Sequence, residues 1–197
     1  MNKKYVIVGI VITLAILGFL LYTFGVVHVS PKNIKTSGDT VNAIRDAASS
    51  ANPVIVYEPG AGWVSKESRI YKNLLLHFSL VFPKDLKVRE YDDKTSASTI
   101  TFEDDTGEKG FQIFVVPYTE DYIKTERFKK DVPSGVMQEP VDIIIDGARA
   151  TMFYSKNDVM GDTREIWFIK NGFLYEVTTY ARLDSWLALI LSTWRFL

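Results

Sequence analysis

"EIWFIKNGFLYEVTTYA", Glu165 to Ala181, decides how the rest of the chain is read. Two β-rich runs meet at Asn171-Gly172, a dipeptide that accepts the positive φ angles a two-residue hairpin turn requires. Upstream, "VDIII" (141–145) meets "ARATMFYSK" (148–156) across Asp146-Gly147 in the same way. Two such hairpins predict a mainly antiparallel sheet. "STITFED" (98–104) and "GFQIFVVPY" (110–118) add a third, with Gly107 free to take positive φ in the acidic connection. "LLLHFSLVF" (74–82) and "LKVREY" (86–91) flank Pro83-Lys84-Asp85, where Pro83 lacks a backbone donor and ends the first strand.

Two helices are expected among these strands. "EDYIKTERFKKDV" (120–132) follows the fourth strand. "DSWLALILS" (184–192) closes the chain, with Asp184 as N-cap and Leu183 and Leu187 near staple spacing. The second is apolar almost all round and must be buried. Strands followed by helix, twice over, predict an α+β fold: an antiparallel β-sheet sandwiched by helices.

Residues 1–27 read differently. No charge occurs after Lys4 until beyond residue 27, and some 23 uncharged residues make a helix of about 35 Å, enough to cross a bilayer. A cleaved signal peptide has a shorter apolar core and a small-x-small site, which "FGVVHVS" does not offer. With no cysteine in the chain, attachment of lipid to a processed cysteine is excluded. The expectation is one N-terminal transmembrane helix, held in the bilayer through residues 5–27. Lys3 and Lys4 favour a cytoplasmic N-terminus, although Lys32 and Lys35 on the far side nearly cancel the bias. The preferred localisation is the cell membrane, single-pass, with the C-terminal domain extracytoplasmic. Residues 28–62 form a polar juxtamembrane linker with a short helix at 40–50, and residues 63–197 form the domain. Setting aside Lys3 and Lys4, 21 basic residues face 24 acidic ones, a balance near −3. That composition speaks against nucleic acid as a partner.

The order and wording of these segments resemble the PsbP-like extracytoplasmic domains, named for the extrinsic lumenal protein of photosystem II. The resemblance rests on Tyr71 and Asn73 in "YKN", on "FSLVFPKDLKV" (78–88) and on "TITFED" (99–104). It continues through "IIIDGARA" (143–150) to "ILSTWRFL" (190–197), covering most of residues 63–197 and none of the anchor. It implies an antiparallel sheet packed by helices and a noncatalytic supporting or binding role. It carries no site residue and no photosynthetic role onto this chain.

His77 is one of two histidines and titrates near neutrality, but a general base needs a positioned partner. On an extended strand it shares the less apolar face with Leu75, Ser79 and Val81, and Leu74, Leu76, Phe78, Leu80 and Phe82 face the core. There is no G-x-S-x-G, no H-E-x-x-H and no cysteine. The turn at 103–108 (Glu103, Asp104, Asp105, Glu108) gathers oxygens that would suit Ca²⁺, without the ligand alternation of an EF-hand. Lys124, Arg127, Lys129 and Lys130 form a basic helix face, with Glu126 placed to pair with Lys130. Trp167, Phe168, Phe173, Tyr175, Trp186 and Trp194 read as packing residues, and Trp63 is the aromatic least accounted for. No catalytic, cofactor-binding or metal residue is assigned, and no cofactor is expected. The leading expectation is a noncatalytic, membrane-anchored extracytoplasmic binding or assembly module with an envelope protein as partner. A hydrolytic or metal-dependent envelope enzyme with a dispersed site, drawn from residues such as His77, Asp85 and Glu90, or a small-ligand sensor, is the alternative.

Overall fold

The computed structural model describes residues 55–56, 67–92 and 96–197. The anchor at 1–27, the helix at 40–50 and Trp63 lie outside them. The strands run in chain order β1 Ile55–Val56, β2 Ser68–Asn73, β3 Phe78–Pro83, β4 Lys87–Asp92, β5 Ser98–Glu103 and β6 Gly110–Pro117. After helix α1 (Thr125–Asp131) come β7 Gln138–Ile145, β8 Ala148–Asn157, β9 Gly161–Lys170 and β10 Phe173–Tyr180. A single 3-10 turn (Ala181–Leu183) leads into helix α2 (Asp184–Leu191), and β11 (Arg195–Phe196) completes the order.

The strands form two sheets. Eight make a main sheet in the order β1-β7-β8-β9-β10-β6-β5-β4, and three make a small sheet in the order β11-β3-β2. Every pair is antiparallel except β1 with β7. Ile55–Val56, inside the stretch read as linker, thus adds a parallel edge strand opposite Ile143–Ile144. The hairpin turns behave as the dipeptides predict: Asp146 and Gly147, and likewise Asn171 and Gly172, all have positive φ, the mirror-image turn whose twist matches that of the strands. Gly107 also has positive φ.

The large core lies between one face of the main sheet and the combined inner surface of the small sheet and α2. Phe78, Leu80 and Phe82 alternate inward from β3 and meet Ile113, Val115, Ile166, Phe168, Tyr175 and Val177. Leu187, Ile190 and Leu191 of α2 fill the same layer, as expected of an apolar helix. A helix thus packs on each face of the main sheet, but the expected sandwich of helices is incomplete: on one face α2 shares the cover with a second sheet, and on the other lies the short α1. There Phe128 and Val132 pack on Phe153 and Trp167. Helices alone could not cover so wide a sheet, because α1 has two turns and α2 little more.

Other local readings change as well. Residues 74–77 are a turn, not strand. The Asn73 side-chain oxygen accepts the N–H groups of Leu75 (3.1 Å) and Leu76 (2.9 Å), an Asx turn that competes with the β-ladder. His77 follows with φ 54°. Leu76, Phe78, Leu80 and Phe82 are buried as predicted, whereas Leu74 is exposed. The helix expected at 120–132 begins only at Thr125, because the Tyr118 hydroxyl accepts the Lys124 N–H (3.0 Å) and donates to the Tyr122 carbonyl (3.2 Å). Asp184 is not an N-cap: its carboxylate accepts from Arg164 Nε (2.9 Å) and the Tyr154 hydroxyl (3.3 Å).

The small sheet is locked to the main one by the C-terminal segment. Trp194 is fully buried and stacks flat on Phe78 (centroids 4.3 Å apart, planes 8° apart), with Phe168 and Tyr175 edge-on to it. Thr193 closes the β3 edge beyond β11, accepting the Val81 N–H (2.8 Å) and donating its own proton to the Ile190 carbonyl (2.7 Å). The Trp194 indole N–H has no hydrogen-bond partner, so packing alone holds the ring. Trp194→Ala is expected to cost about 3–5 kcal/mol in urea denaturation. Trp194→Phe should cost much less, because it keeps part of the stack and deletes a buried unpaired donor.

Candidate functional site

Strands β9 and β10 are buried on both faces through most of their length. Their alternation sends Ile166, Phe168, Tyr175 and Val177 into the large core and Glu165, Trp167, Glu176 and Thr178 under the α1 side. Two carboxyl groups thus occupy a sheet face that water scarcely reaches, a costly arrangement for a charge unless it is paired or neutralised.

The pairing is incomplete. From α1, Arg127 reaches into this face, contacts the Asp131 carboxylate one turn on and lies 3.5 Å from Glu176. Its guanidinium sits over the Phe114 ring, 5.5 Å from the centroid. Arg127 therefore serves both Asp131 and Glu176, with Lys130 also acting on Asp131, while Glu165 has no cation of its own. The Thr178 hydroxyl donates to Glu165 at 2.6 Å and the Trp167 indole N–H at 3.4 Å. Burial pushes the Glu165 carboxyl up to about 7, against the pull of those hydrogen bonds. Burial, then the negative Asp131 beside it, holds Glu176 well above the ordinary carboxyl range, with Arg127 opposing. Burial also raises Asp131. All three carboxyls are thus raised by burial, and they lie within the packed body rather than in a cleft.

The residues singled out in the sequence are not brought together. His77 lies at one end of β3, where its ring approaches Phe173 (6.3 Å), and Asp85 lies in the turn at the other end. Glu90, midway along β4, accepts a hydrogen bond from the Tyr71 hydroxyl (3.0 Å). In the acidic turn, Asp104 accepts from Thr106 N (3.1 Å), Thr106 Oγ1 (2.9 Å) and Gly107 N (2.7 Å), and Asp105 pairs with Lys87. Slight desolvation works against these bonds, yet together they hold the Asp104 carboxyl below its usual range. Among the described residues no group of three or more His, Asp or Glu is placed to hold a metal ion. The basic face of α1 is broken up: Lys124 pairs with Glu120, and Arg127 turns inward. Trp167, Phe168, Tyr175 and Trp194 are core residues, while Phe173 and Trp186 pack at its margin.

Sequence reasoning missed the buried acidic face because alternating polar residues on a strand ordinarily mark the wet side. The available signal was Trp167 sharing that face with Glu165 and Glu176. Two shallow depressions, about 410 and 260 Å³, adjoin at the opposite end of the sheet around Asp162 and Ala181. Arg182 at the rim of the larger donates to the Glu108 carbonyl (2.5 Å) and rests 4.5 Å from the Tyr180 ring centroid.

The two-sheet body with its closing helix and strand is a PsbP-like fold. The solution structure of cyanobacterial PsbP (CyanoP) from Synechocystis sp. PCC 6803 is similar with a TM-score of 0.51 over 70% of this chain and 97% of that one, at 11% sequence identity. No protein-family model and no curated protein sequence matches the chain.

The Glu165 carboxyl makes stability depend on pH in a definite direction. Between about 4.5 and about 7 the unfolded chain has lost this proton and the folded chain keeps it, so stability falls as pH rises through that window and levels off above it. The span corresponds to about 3 kcal/mol. Glu165→Gln should therefore gain stability relative to the parent between pH 5 and pH 8 in denaturant titrations. Equal differences at both pH values would show that Glu165 does not titrate in this way.

Proposed function

We propose that the chain is a noncatalytic binding or assembly module, tethered to the cell membrane through residues 5–27 with its folded part extracytoplasmic and a protein of the cell envelope as its partner. The observation that carries this reading is the placement of the groups a hydrolase would use. His77, Asp85 and Glu90 stand at one end, the other end and the middle of the body, and general acid–base chemistry needs them within hydrogen-bond reach of one substrate. The most perturbed carboxyls, Glu165 and Glu176, are buried beneath a helix where a substrate has no approach. The PsbP-like fold supports the same reading, since the resemblance implies a supporting or binding role. Residues 5–27 lie outside the described residues; among those described, no helix is long and apolar enough to cross a membrane.

Three measurements test this. Alkaline carbonate washing should leave the full-length chain in the membrane fraction, and its release would refute the tether. Because the chain has no cysteine, a single cysteine introduced near Gly107 should react with an impermeant maleimide on intact cells, and protection until lysis would reverse the topology. Cross-linking in gently solubilised membranes should recover a defined partner that His77→Ala leaves unchanged. Recovery of the monomer alone under several mild conditions would count against the module.

A further inference from the structure

We infer that the β2–β3 turn is a bilayer-contacting tip: Leu74 and Leu75 project from a rigid turn at one end of the body and seat in the lipid surface to which the chain is tethered. The inference rests on the tether proposed above. Leu74 is 66% exposed and Leu75 84%, although neither is needed to form the turn. The Asn73 side chain makes the turn, as described, and Asn73 Nδ2 is itself bonded to the Tyr71 hydroxyl (3.0 Å). Leu76 ties the turn to the core, its carbonyl accepting the buried Tyr175 hydroxyl (2.8 Å). Burial pushes that phenol up to about 12, so it stays a donor. The two leucines are thus presented on a fixed support, and contact orders little that is not already ordered.

The surroundings of the tip favour lipid over protein. Leu197, 46% exposed, is held beside it by its N–H to the His77 carbonyl (3.0 Å). The same end carries the Asn171-Gly172 turn, since the His77 ring approaches that of Phe173 (6.3 Å); the Gly172 carbonyl accepts the Tyr118 N–H (2.7 Å), and Tyr118 in turn brings the exposed Tyr122 (55%) to this end. Tyrosine at the edge of an apolar projection suits the headgroup layer. Lys72 on β2 and Lys170, whose Nζ lies over the Phe196 ring (5.8 Å), supply cations there; acid groups at this end include Asp121, Glu120, which is paired with Lys124, and Asp146, whose carboxylate accepts the Phe196 N–H (2.7 Å). A convex tip of two leucines offers far less than the roughly 1,200 Å² that a stable protein interface buries, but acyl chains close around such a projection without a matching groove. One small apolar insertion gives only marginal membrane binding, and stable attachment takes two signals. Residues 5–27 would be the other, and the sequence between 28 and 54 is long enough to let this end turn toward the bilayer.

The full chain, reconstituted into vesicles of phosphatidylcholine and phosphatidylglycerol, tests this. An environment-sensitive fluorophore is placed at Leu197→Cys and, as a control at the opposite end of the sheet, at the likewise exposed Val159→Cys. Lipids carrying a doxyl quencher in the upper acyl chain should quench the label at 197 and leave that at 159 bright. Leu74→Asp with Leu75→Asp, both on the surface and so harmless to the fold, should abolish quenching at 197 while the chain still floats with the vesicles. A chain that floats with an unquenched label at 197, or whose quenching survives the double substitution, overturns the tip and leaves the tether standing. A chain that does not float overturns both.

Discussion

The flat contact between Trp194 and Phe78 is the interaction on which the arrangement of the two sheets depends. Phe78 begins β3 and Trp194 immediately precedes β11, so one ring pair joins the central strand of the small sheet to the last strand of the fold. Around it Phe168, Tyr175 and Phe196 approach edge-on, the geometry that aligns ring edges with ring faces. Without that cluster, a three-stranded sheet containing a two-residue strand would have little reason to persist. With it, the small sheet becomes a wall of the core. Contacts between residues more than a hundred positions apart are built into the fold, which points to slow, late closure of the C-terminal segment during folding.

Covering the second face creates a different tension. The α1 segment brings enough apolar surface to bury Phe153 and Trp167, but the same face carries Glu165 and Glu176. One arginine is placed to balance Asp131 and Glu176, and burial lets the remaining carboxyl, Glu165, hold its proton up to about pH 7. This is a structure that tolerates buried acid groups by neutralising them, and it explains why the strongest perturbations of acidity lie far from any cleft.

Much of the fold was legible because turns are written in residue types. Asn171-Gly172 and Asp146-Gly147 announce positive φ, and the strands on either side follow from alternation. The turn at 74–77 was not legible by the same route: three leucines and a histidine read as strand, and the carboxamide of Asn73 that captures two amide groups is a weak signal beside them. The helix ahead of β7 was over-extended for a similar reason, since the Tyr118 hydroxyl that replaces its first turn acts at a distance no local pattern records. Asp184, placed well for an N-cap, was diverted by Arg164, a residue twenty positions away. The placement of β3 and β4 in separate sheets was also invisible, because a short Pro-Lys-Asp link serves a crossing between layers as well as a hairpin.

The Thr193 hydroxyl has a consequence for how copies of this domain meet. By taking the amide of Val81, it leaves that flank of β3 with no free rung on which a foreign strand could add. The charged side chains of β4, Lys87, Arg89 and Glu90 among them, discourage the same event at one border of the larger sheet. Strand-by-strand growth into fibres is thereby resisted at two borders.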